Sequence, residues 1–135
     1  MSSILVDSSI LIDFLRRKDK TNAVLIALAA QNDLYVSVLI HTELWSGKSV
    51  WESKKVQKEL ELLFSGIVIL PVTESVSKLA GKLKSENRAI ALIDCVIAAT
   101  ALHHDMQLAT LNHKHFSVFK KLQLTPAQPQ TAQTD

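Results

Sequence analysis

The chain has 135 residues, of which 47% are hydrophobic, and its 15 Lys and Arg against 13 Asp and Glu give a formal net charge of +2. This length and composition suit one globular domain, and the mild positive charge permits contact with a polyanion without requiring one. The longest nearly apolar segment, residues 89–102, is shorter than the roughly 20 residues that cross a bilayer and contains Asp94. The lone Cys95 has no partner for an internal disulfide, and the N-terminus lacks the basic start of a signal peptide. We therefore expect a cytoplasmic protein without a membrane segment.

The first half of the chain alternates strand patterns with helical patterns. Either Thr21 or Asn22 is expected to cap the second helix, and Glu43 lies in the third. The elements predicted in this half are, in chain order, a strand at residues 3–6, a helix at 8–17, a helix at 21–31, a strand at 34–38 and a helix at 40–48.

The second half continues the alternation and predicts the fold class. The predicted elements are a helix at residues 53–64, a strand at 67–72 closed by Pro71, a helix at 73–87, a helix at 91–102, a strand at 106–110 and a loop at 111–115. Strands that alternate with helices predict an α/β fold in which helices cover both faces of a mainly parallel sheet.

The last residues differ from the rest in composition. Residues 125–135 are polar, hold two of the three Pro residues and have no large apolar side chain. This composition predicts a disordered tail after a single domain at residues 1–124.

Four oxygen-bearing side chains are expected near the carboxyl ends of the strands, where open α/β sheets form their sites. Asp7 and Asn112 follow predicted strands, Glu43 lies in the helix after another, and Asp94 begins the helix before the last. Clustered carboxylates repel one another and so require a cation, and oxygen ligands suit Mg²⁺ or Mn²⁺. Such an ion favours phosphodiester hydrolysis, while only three Gly leave little material for a phosphate loop.

Each of these residues also has a purely local interpretation. Asp7 could cap a helix, and Glu43 could be a solvated residue. Asn112 is of a type common in turns, and Asp94 could be a cap or a first-turn carboxylate that the helix dipole stabilises. The residues alone leave both sets of interpretations open.

Four segments in this order resemble the PIN domain, and more narrowly the VapC-type toxins of bacterial toxin–antitoxin pairs: ILVDSSILIDFL, HTELWSG, IDCVIAATAL and LATLNHKHF. The resemblance spans residues 4–124 and implies a three-layer fold with the sheet between helices. It implies a Mg²⁺- or Mn²⁺-dependent endoribonuclease in which Asp7, Glu43 and Asp94 match the three core acids and hold the metal. Ser9 and Thr110 match small hydroxyl positions near that site, where they are expected to contact the substrate.

Two positions depart from the family pattern. The fourth acid falls at Asn112, and His115 stands where many relatives place a further Asp. A neutral amide can still hold a water, so Asn112 keeps a catalytic assignment. We expect one firmly bound ion, with any second ion recruited by the RNA phosphate.

The resemblance also implies an RNA substrate and a protein partner. Lys114 and Arg88 are the basic residues expected to contact RNA phosphates, and structured RNA, transfer RNA above all, is the expected substrate. An antitoxin of the VapB kind is expected to bind the surface near Trp45, Trp51 and residues 56–64, with the toxin itself a homodimer.

Two other functions compete with this interpretation. Asn112 and His115 would suit a non-catalytic PIN-like module that binds RNA or protein. The acids would also suit a metal-dependent phosphohydrolase of a different fold that acts on small phosphate esters. A zinc site at the histidines of residues 103–115 is not favoured, because no third-ligand spacing supports it.

Overall fold

The structure is a computed structural model that describes residues 2–126. Its strands are β1 (Ser2–Val6), β2 (Asn32–Ser37), β3 (Val68–Leu70) and β4 (Gln107–Ala109). Its helices are α1 (Ser8–Arg16), α2 (Val24–Ala29), α3 (Val38–Trp45), α4 (Lys48–Trp51), α5 (Lys54–Ser65), α6 (Glu74–Glu86), α7 (Leu92–His103) and α8 (His113–Phe116), with a 3-10 turn at Lys20–Asn22.

The strands form one sheet in the order β3-β2-β1-β4, and all three pairings are parallel. A parallel bridge between Leu108 and Leu124 adds a further segment beside β4. Strand β1 lies inside the sheet, and Ile4, Leu5 and Val6 are almost inaccessible to solvent. An uninterrupted apolar strand is expected where helices cover both faces of a parallel sheet, so the predicted α/β architecture is confirmed.

Helix α7 is the most buried helix of the fold. Every residue from Cys95 to Ala101 is buried, and α6 packs against it through Val76 and Ala80. Burial raises the pKa of the Cys95 thiol, which disfavours the reactive thiolate and supports a packing role. A helix held this firmly gives Asp94, in its first turn, a rigid support.

Three local features differ from the predicted elements. The second predicted helix is divided into the 3-10 turn, capped by Asp19 rather than by Thr21 or Asn22, and α2, which begins at Val24. Helices α4 and α8 were not predicted, because a single turn is too short to show a helical period.

The ordered contacts continue slightly beyond residue 124. Thr125, placed by the sequence in the tail, is buried, and its backbone N–H donates to the Leu108 carbonyl over 2.8 Å. Residues 127–135 of the predicted tail lie outside the described residues. Within residues 2–126, no helix has the length and apolar character needed to cross a membrane.

Candidate active site

A pocket of about 760 Å³ opens beside the carboxyl ends of β1 and β4. The four residues predicted to be catalytic all line it, together with Lys114 and His115: Asp7, Glu43, Asp94 and Asn112. Their supports are separate in the sequence, since Asp7 follows β1, Glu43 lies on α3, Asp94 on α7 and Asn112 directly before α8. The parallel sheet therefore brings the predicted set to one edge.

Asp7 is the most buried acid of the pocket, with 4% of its surface exposed. Its Oδ1 accepts hydrogen bonds from the Ser9 backbone N–H over 3.0 Å and from the Ser9 hydroxyl, so Asp7 does cap α1. Its Oδ2 accepts the Thr110 hydroxyl, which reaches it from the end of β4. Burial raises the pKa of Asp7 above its usual 3.8, and the bonds from Ser9 and Thr110 oppose that rise.

The hydroxyls of Ser9 and Thr110 hold the framework of the pocket together. The Ser9 oxygen accepts the Leu111 backbone N–H over 2.9 Å, and the Thr110 oxygen accepts the Asn112 backbone N–H over 3.0 Å. Both residues had been expected to contact the substrate. The geometry gives that prediction no support at Thr110, because the residue is fully buried and its hydroxyl is bonded to Asp7 and Asn112.

Glu43 shows that the acids of the pocket influence one another. Its side chain is exposed on α3, and its pKa is raised by partial desolvation and by the negative charges of Asp94 and Asp7. Like charges disfavour ionisation of a carboxyl, and a bound cation would relieve this repulsion.

Asp94 lies in the first turn of α7 but is not its cap. Ala91 occupies the N-cap position without any side-chain hydrogen bond, so the capping interpretation of Asp94 is wrong. The helix dipole still favours its charge. The Oδ2 atom of Asp94 lies 2.8 Å from Nε2 of His115, a contact that no pattern in the sequence indicates.

Of the remaining predicted site residues, Asn112 and Lys114 line the pocket and Arg88 does not. Asn112 is exposed at the N-cap position of α8, where its side chain makes no capping bond and faces the pocket. Lys114 is exposed at the same pocket, as expected of a phosphate contact. Arg88 is exposed in the turn before α7 and does not line this pocket, so its predicted role has no support from the geometry.

Oxygen ligands of this kind suit a hard divalent ion, since three carboxylates and an amide converge on one concavity. Among residues 2–126, however, no three His, Cys, Asp or Glu side chains stand close enough together to hold a metal as they are placed. The donor types therefore fit Mg²⁺ or Mn²⁺, and binding requires the carboxylates to draw together.

Comparison with known proteins identifies the fold that carries this pocket. The profile of the PIN domain matches residues 4–122, which include every acid described above. The chain belongs to the PIN-domain family.

Two curated relatives of this PIN domain come from Mycobacterium tuberculosis. Ribonuclease VapC19 is 38% identical over 125 residues, covering 88% of this chain and 96% of the relative. Ribonuclease VapC10 is 37% identical over 131 residues, covering 93% of this chain and 95% of the relative. A solved structure, VapBC-1 from nontypeable Haemophilus influenzae, is 25% identical with a TM-score of 0.74 and covers 91% of this chain and 96% of that one.

We expect metal binding to weaken as the pH falls. The pKa of Asp7 lies above its usual 3.8 and that of Glu43 above its usual 4.5. Protons therefore compete with the cation for these two carboxyls at higher pH than they would for ordinary Asp and Glu side chains. In the metal-free protein, the stability contributed by protonated Asp7 is fully present below 3.8 and is lost as the pH rises through the raised pKa. Calorimetric titration with Mn²⁺ at several pH values checks this, and an affinity that stays constant from neutral pH down to 4.5, the usual pKa of Glu43, would contradict it.

Proposed function

We propose that this PIN domain is a Mg²⁺- or Mn²⁺-dependent endoribonuclease that acts as the toxin of a VapBC-type pair. The observation that carries the proposal is the convergence of Asp7, Glu43, Asp94 and Asn112 on one pocket, where desolvation and the charges of Asp94 and Asp7 raise the pKa of Glu43. The names of the curated ribonuclease relatives support it, because they match nearly the whole chain.

In this proposal each residue has a defined task. The divalent ion supplies charge neutralisation at the phosphate and activation of a water. Asp7, Glu43 and Asp94 would hold the ion through carboxylate oxygens once they draw together, and the Asn112 amide would orient a water. The Lys114 ammonium contacts an adjacent phosphate of the RNA.

We propose a structured RNA as the substrate and favour transfer RNA, on the resemblance to VapC-type toxins. Sequencing the fragment ends after incubation with total bacterial RNA identifies the target. Fragments from ribosomal or messenger RNA alone would exclude transfer RNA but leave the ribonuclease assignment intact.

Growth arrest on expression in bacteria tests the proposal as a whole. The wild type should arrest growth and cleave RNA, and Asp7→Ala or Glu43→Ala should remove both effects because each deletes a metal ligand. Asp33→Ala is the matched control, since Asp33 is an exposed acid at the opposite end of the sheet. Full toxicity of both site variants would contradict the catalytic assignment. Specific RNA binding without any metal requirement would favour the non-catalytic module.

The antitoxin is proposed to bind an apolar groove between α5 and the α1–α2 region. The groove has a volume of about 300 Å³ and is lined by Leu15, Leu25, Ile26 and Leu62, with 76% of Leu62 exposed. The sequence predicted one antitoxin-binding surface near Trp45, Trp51 and α5, but the structure has two separate concavities there. Leu62 and Leu63 of α5 line the apolar groove, whereas Trp45 and Trp51 line the other concavity. Structures similar to this chain include a toxin–antitoxin complex, which favours an amphipathic antitoxin segment as the occupant.

Leu62→Asp is expected to weaken antitoxin binding by about 30-fold, since an apolar side chain buried in an interface contributes about 2 kcal/mol. Val118→Asp is the control, because Val118 is an exposed apolar residue outside the groove. Calorimetry with the antitoxin encoded beside the toxin measures both. If Trp51→Ala weakens binding and Leu62→Asp does not, the partner binds the aromatic concavity instead.

The homodimer implied by the resemblance remains part of the proposal. Light scattering at high protein concentration measures the mass directly. A monomer at every concentration would contradict the dimer and leave the ribonuclease assignment unchanged.

A further inference from the structure

His115 contacts one of the proposed metal ligands directly. Its Nε2 lies 2.8 Å from Oδ2 of Asp94, and 43% of the His115 side chain is exposed. An ionised carboxylate carries no hydrogen, so the imidazole Nε2–H donates and the Asp94 oxygen accepts. Within residues 2–126, this is the only hydrogen bond that the Asp94 side chain makes.

The backbone around His115 is held in place by a series of hydrogen bonds that begins at Asp7. Thr110 binds Asp7 and accepts the Asn112 backbone N–H, and the Asn112 carbonyl accepts the His115 backbone N–H over 3.1 Å. The ring of His115 also packs edge-to-face against the buried Phe116, with centroids 5.3 Å apart. One chain of contacts thus runs from Asp7 on the β1 side to Asp94 on α7.

We propose that His115 is a positioning residue that orients the Asp94 carboxylate for the divalent ion. Occupying Oδ2 with a hydrogen bond fixes the torsion of the carboxylate and would leave Oδ1 free to bind the ion. Hydrogen-bonding partners outside the ligands commonly fix ligand orientation in metal sites, and their loss commonly costs about 10- to 100-fold in metal affinity. The inference rests on the proposed function, because it assigns a task toward the same ion.

If His115 had only a structural role, His115→Ala would lower the stability of the protein without changing its affinity for the ion. An exposed His–Asp pair contributes little to stability, so His115→Ala should leave the melting temperature of the metal-free protein nearly unchanged. The loss should appear instead in the affinity for the ion. His115→Gln places an amide N–H at a similar reach and should restore most of that affinity.

Calorimetric titration of the full chain with Mn²⁺ tests the inference. His115→Ala should weaken Mn²⁺ binding by about tenfold, His115→Gln should remain near wild type, and the control His104→Ala should have no effect, because His104 is exposed and lines a different cavity. If the wild type binds Mn²⁺ and His115→Ala binds it equally well, the inference is overturned while the proposed function stands. If the wild type binds no Mn²⁺, both fail.

A spectroscopic measurement separates positioning from direct ligation. In the positioning role, pulsed paramagnetic resonance of bound Mn²⁺ should show no directly coordinated imidazole nitrogen in the wild type. A strong ¹⁴N coupling that disappears in His115→Ala would make His115 itself a metal ligand and overturn the positioning role.

Discussion

Replacing Asp94 with Asn is expected to slow metal-dependent RNA cleavage greatly and to remove the stabilisation that the metal gives to the wild type. Asp94 supplies a carboxylate to the pocket, and its charge contributes to the raised pKa of Glu43. The metal supplies several kcal/mol of charge stabilisation in phosphoryl chemistry, so losing its ligand should lower the cleavage rate by roughly a thousandfold.

Thermal unfolding measures the same substitution without reference to activity. At a Mn²⁺ concentration about 100 times the dissociation constant, an ion that binds only the folded protein stabilises it by about 2.7 kcal/mol. For a domain of this size the melting temperature of the wild type should rise by roughly 8 to 10 °C. Asp94→Asn should show almost no rise.

In the presence of EDTA, Asp94→Asn should no longer be less stable than the wild type. Asn removes one of the negative charges that repel Glu43, which offsets the loss of the favourable interaction between the Asp94 charge and the α7 dipole. Asp94 also caps no helix whose stability would be lost. Metal-free Asp94→Asn should therefore be at least as stable as metal-free wild type. The matched control is Asp33→Asn, which should keep the full metal response. If Asp94→Asn retained both that response and its cleavage rate, Asp94 would be only a first-turn carboxylate.

The position of the acids could be predicted from the sequence because topology determines it. Parallel strands place their carboxyl ends at one edge of a sheet, so Asp7 and Asn112, each following a strand, were expected at the same edge. The pairing of β1 with β4 then makes them neighbours. The alternation of apolar strands and amphipathic helices was enough to predict this arrangement. Neither step required the side-chain conformations.

The contacts within the pocket could not be predicted in the same way. The bond between Thr110 and Asp7 joins residues 103 positions apart, and that between His115 and Asp94 joins residues 21 apart. Both depend on side-chain torsions and on the one-turn helix α8, which is too short for a sequence period. Asp7 illustrates the limit, since the sequence offered capping and metal binding as alternatives. The structure shows the cap, and the same carboxylate still faces the pocket.

Among the hydrogen bonds that form the framework of the pocket, we expect removal of the bond from Thr110 to Asp7 to cause the largest loss of stability. Thr110→Val keeps the side-chain shape but leaves a buried carboxylate without one of its donors and the Asn112 backbone N–H without its acceptor. A hydrogen bond to a charged group contributes about 1.5 to 3 kcal/mol, and we expect the free energy of unfolding to fall by that amount at neutral pH. Urea denaturation of the metal-free protein measures it.

The control for this prediction is Thr100→Val. Thr100 is equally buried, but its hydroxyl donates to the Val96 carbonyl within α7, so its loss removes only a neutral bond of about 1 kcal/mol. The pH dependence distinguishes the two variants. Thr110 lowers the pKa of Asp7, so its stabilisation is present when Asp7 is ionised and declines as the pH falls through the pKa of Asp7. The deficit of Thr110→Val should therefore shrink at acidic pH, while that of Thr100→Val should stay constant. If the stability loss of Thr110→Val were the same at neutral and at acidic pH, Thr110 would contribute packing only and its hydroxyl would not stabilise the ionised form of Asp7.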